Sequence, residues 1–428
     1  QTLHSSAMST RARRAGPDRV LTGKYIADAG TREELVRRLS AVHERLRGMT
    51  AVAAGGEGDR PGLMTLARRL VDRKLVQHKH QDVKLIVSVC LAHLLRVLAP
   101  ESPFDANQLE AVIALLVATL RRLRGDGSRD LLYSLLHTIS SSAVCDMLVT
   151  ASAAEAWGHG AILEMVEAVL QGVREDHPDS VMRDAVALLS CCVGRGASNE
   201  LLQAVLMPLA GEGGKYTGAA AAVVKHMLEQ NETVLAGHVS QFLVLVLDGR
   251  LDASELELAD HVYNVARQLS APYMTVLLPR IAQNLKDDDD SLRVSTVEFL
   301  RAVFASPACV RAYPTELQDL VGRCVDRSPR VRMAACAACV ELLSAHPARR
   351  DVLLPALQDR LRDADADIRD AVLTELATLA FNDLGSVSEA ALEQLGERVI
   401  DKRPNVRRRA VTAVAKLYVR WALPQFDA

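Results

Sequence analysis

Aromatic residues are scarce: Phe, Trp and Tyr together make up 4% of this 428-residue chain. Sandwiches, barrels and propellers draw on aromatic and β-branched residues in short strands, so an all-β architecture is disfavoured. An excess of either charge is missing too. Lys and Arg total 51 against 53 Asp and Glu, a formal net charge of -2, which leaves no global field to hold the protein on nucleic acid or an anionic membrane. The longest apolar stretch, Ala111 to Leu120, falls far short of the roughly 20 residues of a spanning helix. Gln1 to Arg19 mixes Ser, Arg and Gly without an apolar core, so it does not read as a secretory signal, and the opening Gln reads as a truncated start. No G-x-S-x-G and no H-E-x-x-H occurs anywhere, and paired carboxylates fall at no spacing that predicts a shared cleft. The chain is expected to be no enzyme and to carry neither metal nor cofactor.

What is present is Ala, Leu, Val and Arg in a chain that is 49% hydrophobic, the vocabulary of closely packed helices. An all-α fold follows. The eight cysteines (Cys90, Cys145, Cys191, Cys192, Cys309, Cys324, Cys336 and Cys339) sit within helical patterns, which reads as buried thiols in a reducing compartment, cytosol or nucleus.

The pattern D-x-x-x-x-[LVI]-R occurs four times in the second half, as Asp287 to Arg293, Asp326 to Arg332, Asp363 to Arg369 and Asp401 to Arg407. Its arginines recur every 37 to 39 residues, a period that holds two helices. After each Arg comes a helical stripe. Following Ile368, for example, Ala371, Val372, Leu376, Leu379 and Ala380 fall on one face and need a neighbour to cover them. A cation in the first turn of a helix opposes the macrodipole, so an acceptor should hold it there, and the Asp six residues earlier is the expected one. The pairs are read as a structural ladder along one edge of a stack. Upstream, His177 to Arg183 and His80 to Lys84 lead into apolar runs in the same way, and both resemble the turn and second helix of a HEAT repeat. Thr31-x-x-Glu34, Thr315-x-x-Gln318 and Ser386-x-x-Glu389 are capping-box candidates at further helix starts. The expected fold is therefore an all-α HEAT-repeat solenoid, a right-handed superhelix of antiparallel helix pairs. Residues 1–30 are expected to be a poorly ordered arm, 31–61 a leading helix and Gly-rich loop, and 62–428 one continuous solenoid of on the order of nine or ten helix pairs, truncated at its C-terminal end.

Other constellations fail as sites. Gly211 to Thr217 lacks the first Gly of a phosphate loop and carries Tyr216 where a Mg²⁺-binding hydroxyl should stand. Cys336 and Cys339 form a C-x-x-C with no second pair at zinc spacing. Asp287 to Asp290 lacks the alternating ligands and Gly of a calcium loop, and His78 with His80 coincides with a repeat turn. Two surface features remain. Lys402, Arg403, Arg407, Arg408 and Arg409 form a basic end that could touch a polyanion, with any DNA contact local and indirect, against the simpler reading of a solvated helix face. Ala99-Pro100-Glu101-Ser102-Pro103-Phe104 is a two-proline loop between two helices, either a helix-stop linker or a stiff platform that loses little entropy on binding.

Gln81 to Phe104 (Q-D-V-K-L-I-V-S-V-C-L-A-H-L-L-R-V-L-A-P-E-S-P-F) closely resembles the N-terminal repeat of the cohesin-associated regulators called precocious dissociation of sisters. Thr31 to Leu39 looks like that family's first helix and Asp401 to Tyr418 like a later repeat, in the same order, so the resemblance spans about residues 31–418. It implies a scaffold that binds the cohesin ring through its kleisin subunit and SMC ATPase heads and acts with the releasing factor Wings-apart-like in the nucleus, on chromatin. In the family, the loop matching Ala99 to Pro103 receives a Tyr-Ser-Arg motif from Wings-apart-like and from sororin, the cohesion protector. By that resemblance Pro100 and Pro103 would face the ligand's Tyr and Glu101 its Arg. Ser102 stands where the family usually has Ala, and Phe104 where it often has Tyr. The repeat pattern alone also fits a condensin subunit, a nuclear transport receptor or a phosphatase scaffold, and an enzyme of the helical-repeat DNA glycosylase kind would need an acidic or aromatic pocket that the sequence does not display.

Overall fold

The computed structural model describes residues 19–50, 60–125, 127–194, 197–211, 215–251 and 258–422. Among them are 23 α-helices and no strand, so the fold is all-α. Two compact units are present, Gln1–His238 and Val239–Ala428.

In the first unit the helices alternate between two layers. Arg32–Arg47, Gln81–Leu98, Arg129–Ser140, Asp179–Gly194 and Gly218–Gln230 pack in succession as one layer, and Ala106–Leu120, Gly158–Gly172 and Asn199–Leu206 as the other. The cause is the stripe that each helix must hide. Gln81–Leu98 shows it most fully: its residues from Leu85 to Leu95 are all buried, because this helix has neighbours on several sides. Gly172 marks a close approach within the second layer, since a Cβ there would meet the Cβ of Leu123, in the turn that continues Ala106–Leu120, at 2.8 Å.

The second unit repeats the design. Asp290–Phe304, Pro329–Ala345, Ala366–Asn382 and Pro404–Leu417 form one layer, and Ala271–Gln283, Pro314–Gly322, Arg350–Arg360 and Glu389–Glu397 the other. Each helix of the first group begins just after one D-x-x-x-x-[LVI]-R pattern opens, which places the repeated Asp in the turn and the repeated Arg in the first helical turn.

Several local expectations need correction. The arm assigned to residues 1–30 is helical from Arg19–Leu21 and Gly23–Ala27 onward, because Leu21 and Ile26 are buried there; residues 1–18 lie outside the described residues. Thr31 caps its helix, accepting the Glu34 amide at 3.2 Å, but the Glu34 carboxylate returns to the Gly30 amide at 3.1 Å rather than to the cap residue. Thr315 lies inside a helix that Pro314 starts, since proline suits the first helical position. Ser386 sits in a short 3-10 turn, and Ser388 is the residue that caps, accepting the Ala391 amide at 3.2 Å. A capping box that the sequence reading passed over closes the two-proline loop: Asp105 accepts the Gln108 amide at 2.8 Å and Gln108 Oε1 accepts the Asp105 amide at 3.4 Å.

Candidate functional site

The loop from Ala99 to Phe104 belongs to the first unit and is fixed at both ends. At its start the Ala99 amide donates to the Leu95 carbonyl at 2.8 Å, ending the helix Gln81–Leu98, and the Ala99–Pro100 peptide is cis. At its finish Phe104 is buried, 8% exposed, and the Asp105 capping box starts the helix Ala106–Leu120. Ser102 Oγ accepts the Phe104 amide at 3.2 Å, tying the middle of the loop to its anchor. Phe104 thus seats the loop, while Pro100 and Glu101 are exposed and Ser102 and Pro103 half-buried. A short loop held in this way loses little conformational entropy when a ligand binds.

Glu101 is the only ionisable side chain from Ala99 to Phe104, and 66% of it is exposed. Among the described residues its cationic partner is one that sequence order conceals: Nη2 of Arg60, the first residue of the helix Arg60–Leu70, donates to Glu101 Oε2 at 2.5 Å. The two residues are 41 positions apart, so no periodic signal joins them.

The ladder lies in the second unit, and its wiring differs from the expectation. Each Asp six residues before an Arg gives that Arg its backbone carbonyl: Arg293, Arg332, Arg369 and Arg407 donate from Nη1 to the carbonyls of Asp287, Asp326, Asp363 and Asp401 at 2.7, 2.9, 2.7 and 2.7 Å. The carboxylate comes instead from the next repeat. Arg293 forks onto Asp326 at 3.1 and 2.9 Å, Arg332 onto Asp363 at 2.9 Å twice, and Arg369 onto Asp401 at 2.8 Å twice. The reason is local. Each carboxylate first turns back to accept the amide two residues on, as Asp326 does from Ser328, Asp363 from Asp365 and Asp401 from Arg403, so its free edge faces the preceding repeat. A second guanidinium three residues earlier completes each rung: Arg323, Arg360 and Arg398. The spacing R-x-x-D was visible in the sequence and could have revealed them.

These rungs are buried: Arg293 is 2% exposed, and Asp326, Asp363 and Asp401 are likewise enclosed. Two guanidiniums and an amide hold the Asp401 carboxyl down at about 2, with the Arg369 hydrogen bonds the largest influence. Asp326 and Asp363 are also lowered, burial opposing and their Arg partners prevailing. Such fully paired, fully hydrogen-bonded carboxylates have no proton to give or take near neutral pH.

The basic end is divided. Lys402, Arg403 and Arg408 are exposed, Arg409 is pinned to Asp370 at 2.7 Å, and Arg407 rests on the carbonyls of Asp401 and Lys402. Of the sites set aside from sequence, Cys324 and Cys339 meet at 3.7 Å between sulfurs; Cys336 opposes but Cys339 and burial push the Cys324 thiol up, and Cys324 with burial pushes Cys336 up, which leaves both protonated near neutral pH. The Gly211 to Thr217 segment falls partly outside the described residues. Among the described residues no group of three or more His, Cys, Asp or Glu could hold a metal ion, and no single helix is long and apolar enough to cross a membrane.

Stacked helix pairs, an internal arginine ladder and an anchored, exposed loop define a helical-repeat protein of the kind that presents surfaces to other macromolecules. The family profile of the sister chromatid cohesion protein PDS5 matches residues 33–427. The chain belongs to that family. It is 25% identical over 417 residues to sister chromatid cohesion protein PDS5 homolog A of Homo sapiens, covering 94% of this chain and 30% of the human protein. It is 26% identical over 415 residues to PDS5 homolog B-A of Xenopus laevis, covering 94% of this chain and 28% of that protein. The chain therefore spans under a third of the length of these relatives. Among solved structures, that of a Pds5–Scc1 complex superposes with a TM-score of 0.71 at 17% identity, covering 92% of this chain and 62% of the other, a likeness of fold.

Proposed function

We propose that the chain is a non-catalytic scaffold of the cohesin system, acting in the nucleus on chromatin. It binds the cohesin ring through its kleisin subunit, next to the SMC ATPase heads, and receives Tyr-Ser-Arg motifs of Wings-apart-like and of a sororin-type protector at the loop Ala99 to Phe104. Membership in the PDS5 family supports the cohesin role, and a kleisin partner is suggested by the structural neighbour, which is a complex of Pds5 with Scc1. The single observation that supports the loop is the Glu101 carboxylate, exposed on a segment anchored by Phe104 and by the Asp105 cap. A guanidinium pairs with a carboxylate so presented, and Pro100 with Pro103 offers a rigid apolar surface to an aromatic ring.

The test is a fluorescence-anisotropy titration of a labelled Tyr-Ser-Arg peptide from Wings-apart-like with the wild type and with Glu101→Lys. Saturable binding that the variant loses supports the reading. A folded wild type that does not bind makes the loop a linker and leaves the proposed cohesin role without a Tyr-Ser-Arg site there.

A further inference from the structure

The second unit carries an apolar groove that neither the loop nor the ladder uses. It lies between the helices Ala366–Asn382 and Pro404–Leu417 and encloses about 440 Å³. Leu373, Ala377 and Phe381 line it from one helix, Ala413 and Leu417 from the other. Phe381 is 41% exposed, unusual for the largest side chain on a helix whose stacking face is covered. The polar groups among the lining residues offer little competition for an apolar guest. Thr374, Thr378 and Thr412 donate their hydroxyls to carbonyls of their own helices at 2.7, 2.8 and 2.9 Å.

Phe381 is exposed for a different reason from the apolar residues on the neighbouring helix. Aligned by their repeat arginines, Leu373, Leu376 and Ala380 correspond to Val411, Val414 and Tyr418. The first three are fully buried and the last three are 51%, 38% and 51% exposed, so Val411, Val414 and Tyr418 sit at stacking positions. Phe381 does not, and its helix is already covered on that face by Pro404–Leu417.

The groove is rimmed by positive charge. Arg409 and Lys416 line it from the second helix, and Arg420 stands beside it in the following turn, Tyr418–Ala422. Arg409 is neutralised by Asp370, but no carboxylate among the described residues pairs with Lys416 or Arg420. The Arg420 guanidinium lies 5.9 Å from the centre of the Phe381 ring and 5.1 Å from that of Trp421, whose indole N–H is fixed on the Ala380 carbonyl at 2.8 Å. A cation held over the ring at the groove mouth places an anion-binding group next to an apolar seat.

We propose that this groove is a docking site for an acidic peptide segment of a partner protein, with one aromatic or branched aliphatic side chain seated against Phe381 and flanking carboxylates on Lys416 and Arg420. Hydrophobic anchors with a charged rim are how short segments gain specificity from a small area. A sulfated polysaccharide meets the cations but offers no anchor for the floor.

The probe is a fluorescein-labelled octapeptide, Asp-Glu-Asp-Phe-Leu-Glu-Asp-Glu, titrated into the full chain. Two controls accompany it: the same peptide with Ser in place of Phe and Leu, and a heparin oligosaccharide. Saturable binding is expected for the first peptide, weakened roughly tenfold by Lys416→Glu with Arg420→Glu and also by Thr378→Trp, which fills the groove from an exposed position. Thermal melts of both variants confirm folding. The proposal is overturned if the folded wild type does not bind, if the Ser peptide binds equally well, or if heparin competes while Thr378→Trp changes nothing, in which case the surface is a polyanion patch alone.

Discussion

Replacing Arg369 with Met removes one rung of the ladder while keeping most of the side-chain stem. Arg369 is 8% exposed and makes four hydrogen bonds, two to the Asp401 carboxylate at 2.8 Å and two to the carbonyls of Asp363 and Ala364 at 2.7 and 3.2 Å. Met preserves the packing of the methylenes, so the loss is electrostatic. Breaking a buried pair from one side costs about 3–5 kcal/mol, because the remaining charge is left without its partner. Asp401 keeps the Arg403 amide at 2.9 Å and Arg398 at 3.4 Å, which places the cost near the lower figure, ~3 kcal/mol. For a unit of this size the melting temperature of the second unit should fall by roughly 6–12 °C. Arg407→Met is the internal control. Arg407 makes the same carbonyl contacts but has no carboxylate fork among the described residues, so its loss should cost under about 1 kcal/mol. Denaturant unfolding of both variants, followed by a double-mutant cycle of Arg369→Met with Asp401→Asn, measures the coupling directly. Equal destabilisation by the two Met variants, or an additive cycle, refutes the idea that the inter-repeat carboxylate is what holds the stack.

Two further perturbations probe the first unit. His93 is 5% exposed beside His43, with ring centres 5.1 Å apart, and burial together with His43, Arg96, Arg47 and His137 pushes it down to about 4. The folded value lies below the ordinary 6.5, so the unfolded chain binds more protons between those values; stability is complete above about pH 6.5 and is lost as the pH falls toward 4, by roughly 3 kcal/mol from this residue. Urea unfolding at pH 7 and pH 5 should show this slope, and His93→Leu should flatten it; an unchanged slope in the variant would remove His93 as its source. At the loop, Arg60 competes with any incoming guanidinium for Glu101, and an exposed pair of this kind contributes about 0.2–1 kcal/mol. Arg60→Ala should therefore tighten Tyr-Ser-Arg peptide binding by up to about fivefold and make it more salt-dependent, because a lone carboxylate then attracts the incoming cation. A loss of affinity would mean that Arg60 holds Glu101 in its binding orientation instead.

The helical class and the repeat could be read from the chain because both depend on local periodicity: an apolar stripe every 3.6 residues and a turn signature every 37 to 39. The position of the two-proline loop followed from the same punctuation, since two prolines end one helix before the next begins whatever surrounds them. Which groups meet was decided elsewhere. Asp363 was assigned to Arg369 on proximity in sequence, yet its carboxylate is committed to its own turn and turns to Arg332 of the preceding repeat, 31 residues away. Phe104 belongs to a candidate binding loop by sequence and is a buried anchor in the fold, because only the packing of neighbouring helices determines which side of a loop is covered. Arg60 reaches Glu101 across 41 residues, and the groove beside Phe381 exists because two helices 38 residues apart in the repeat lie side by side. Local sequence sets backbone conformation through torsional preference and capping; the partners of a side chain are set by which repeats stack, and that is a property of the tertiary structure alone.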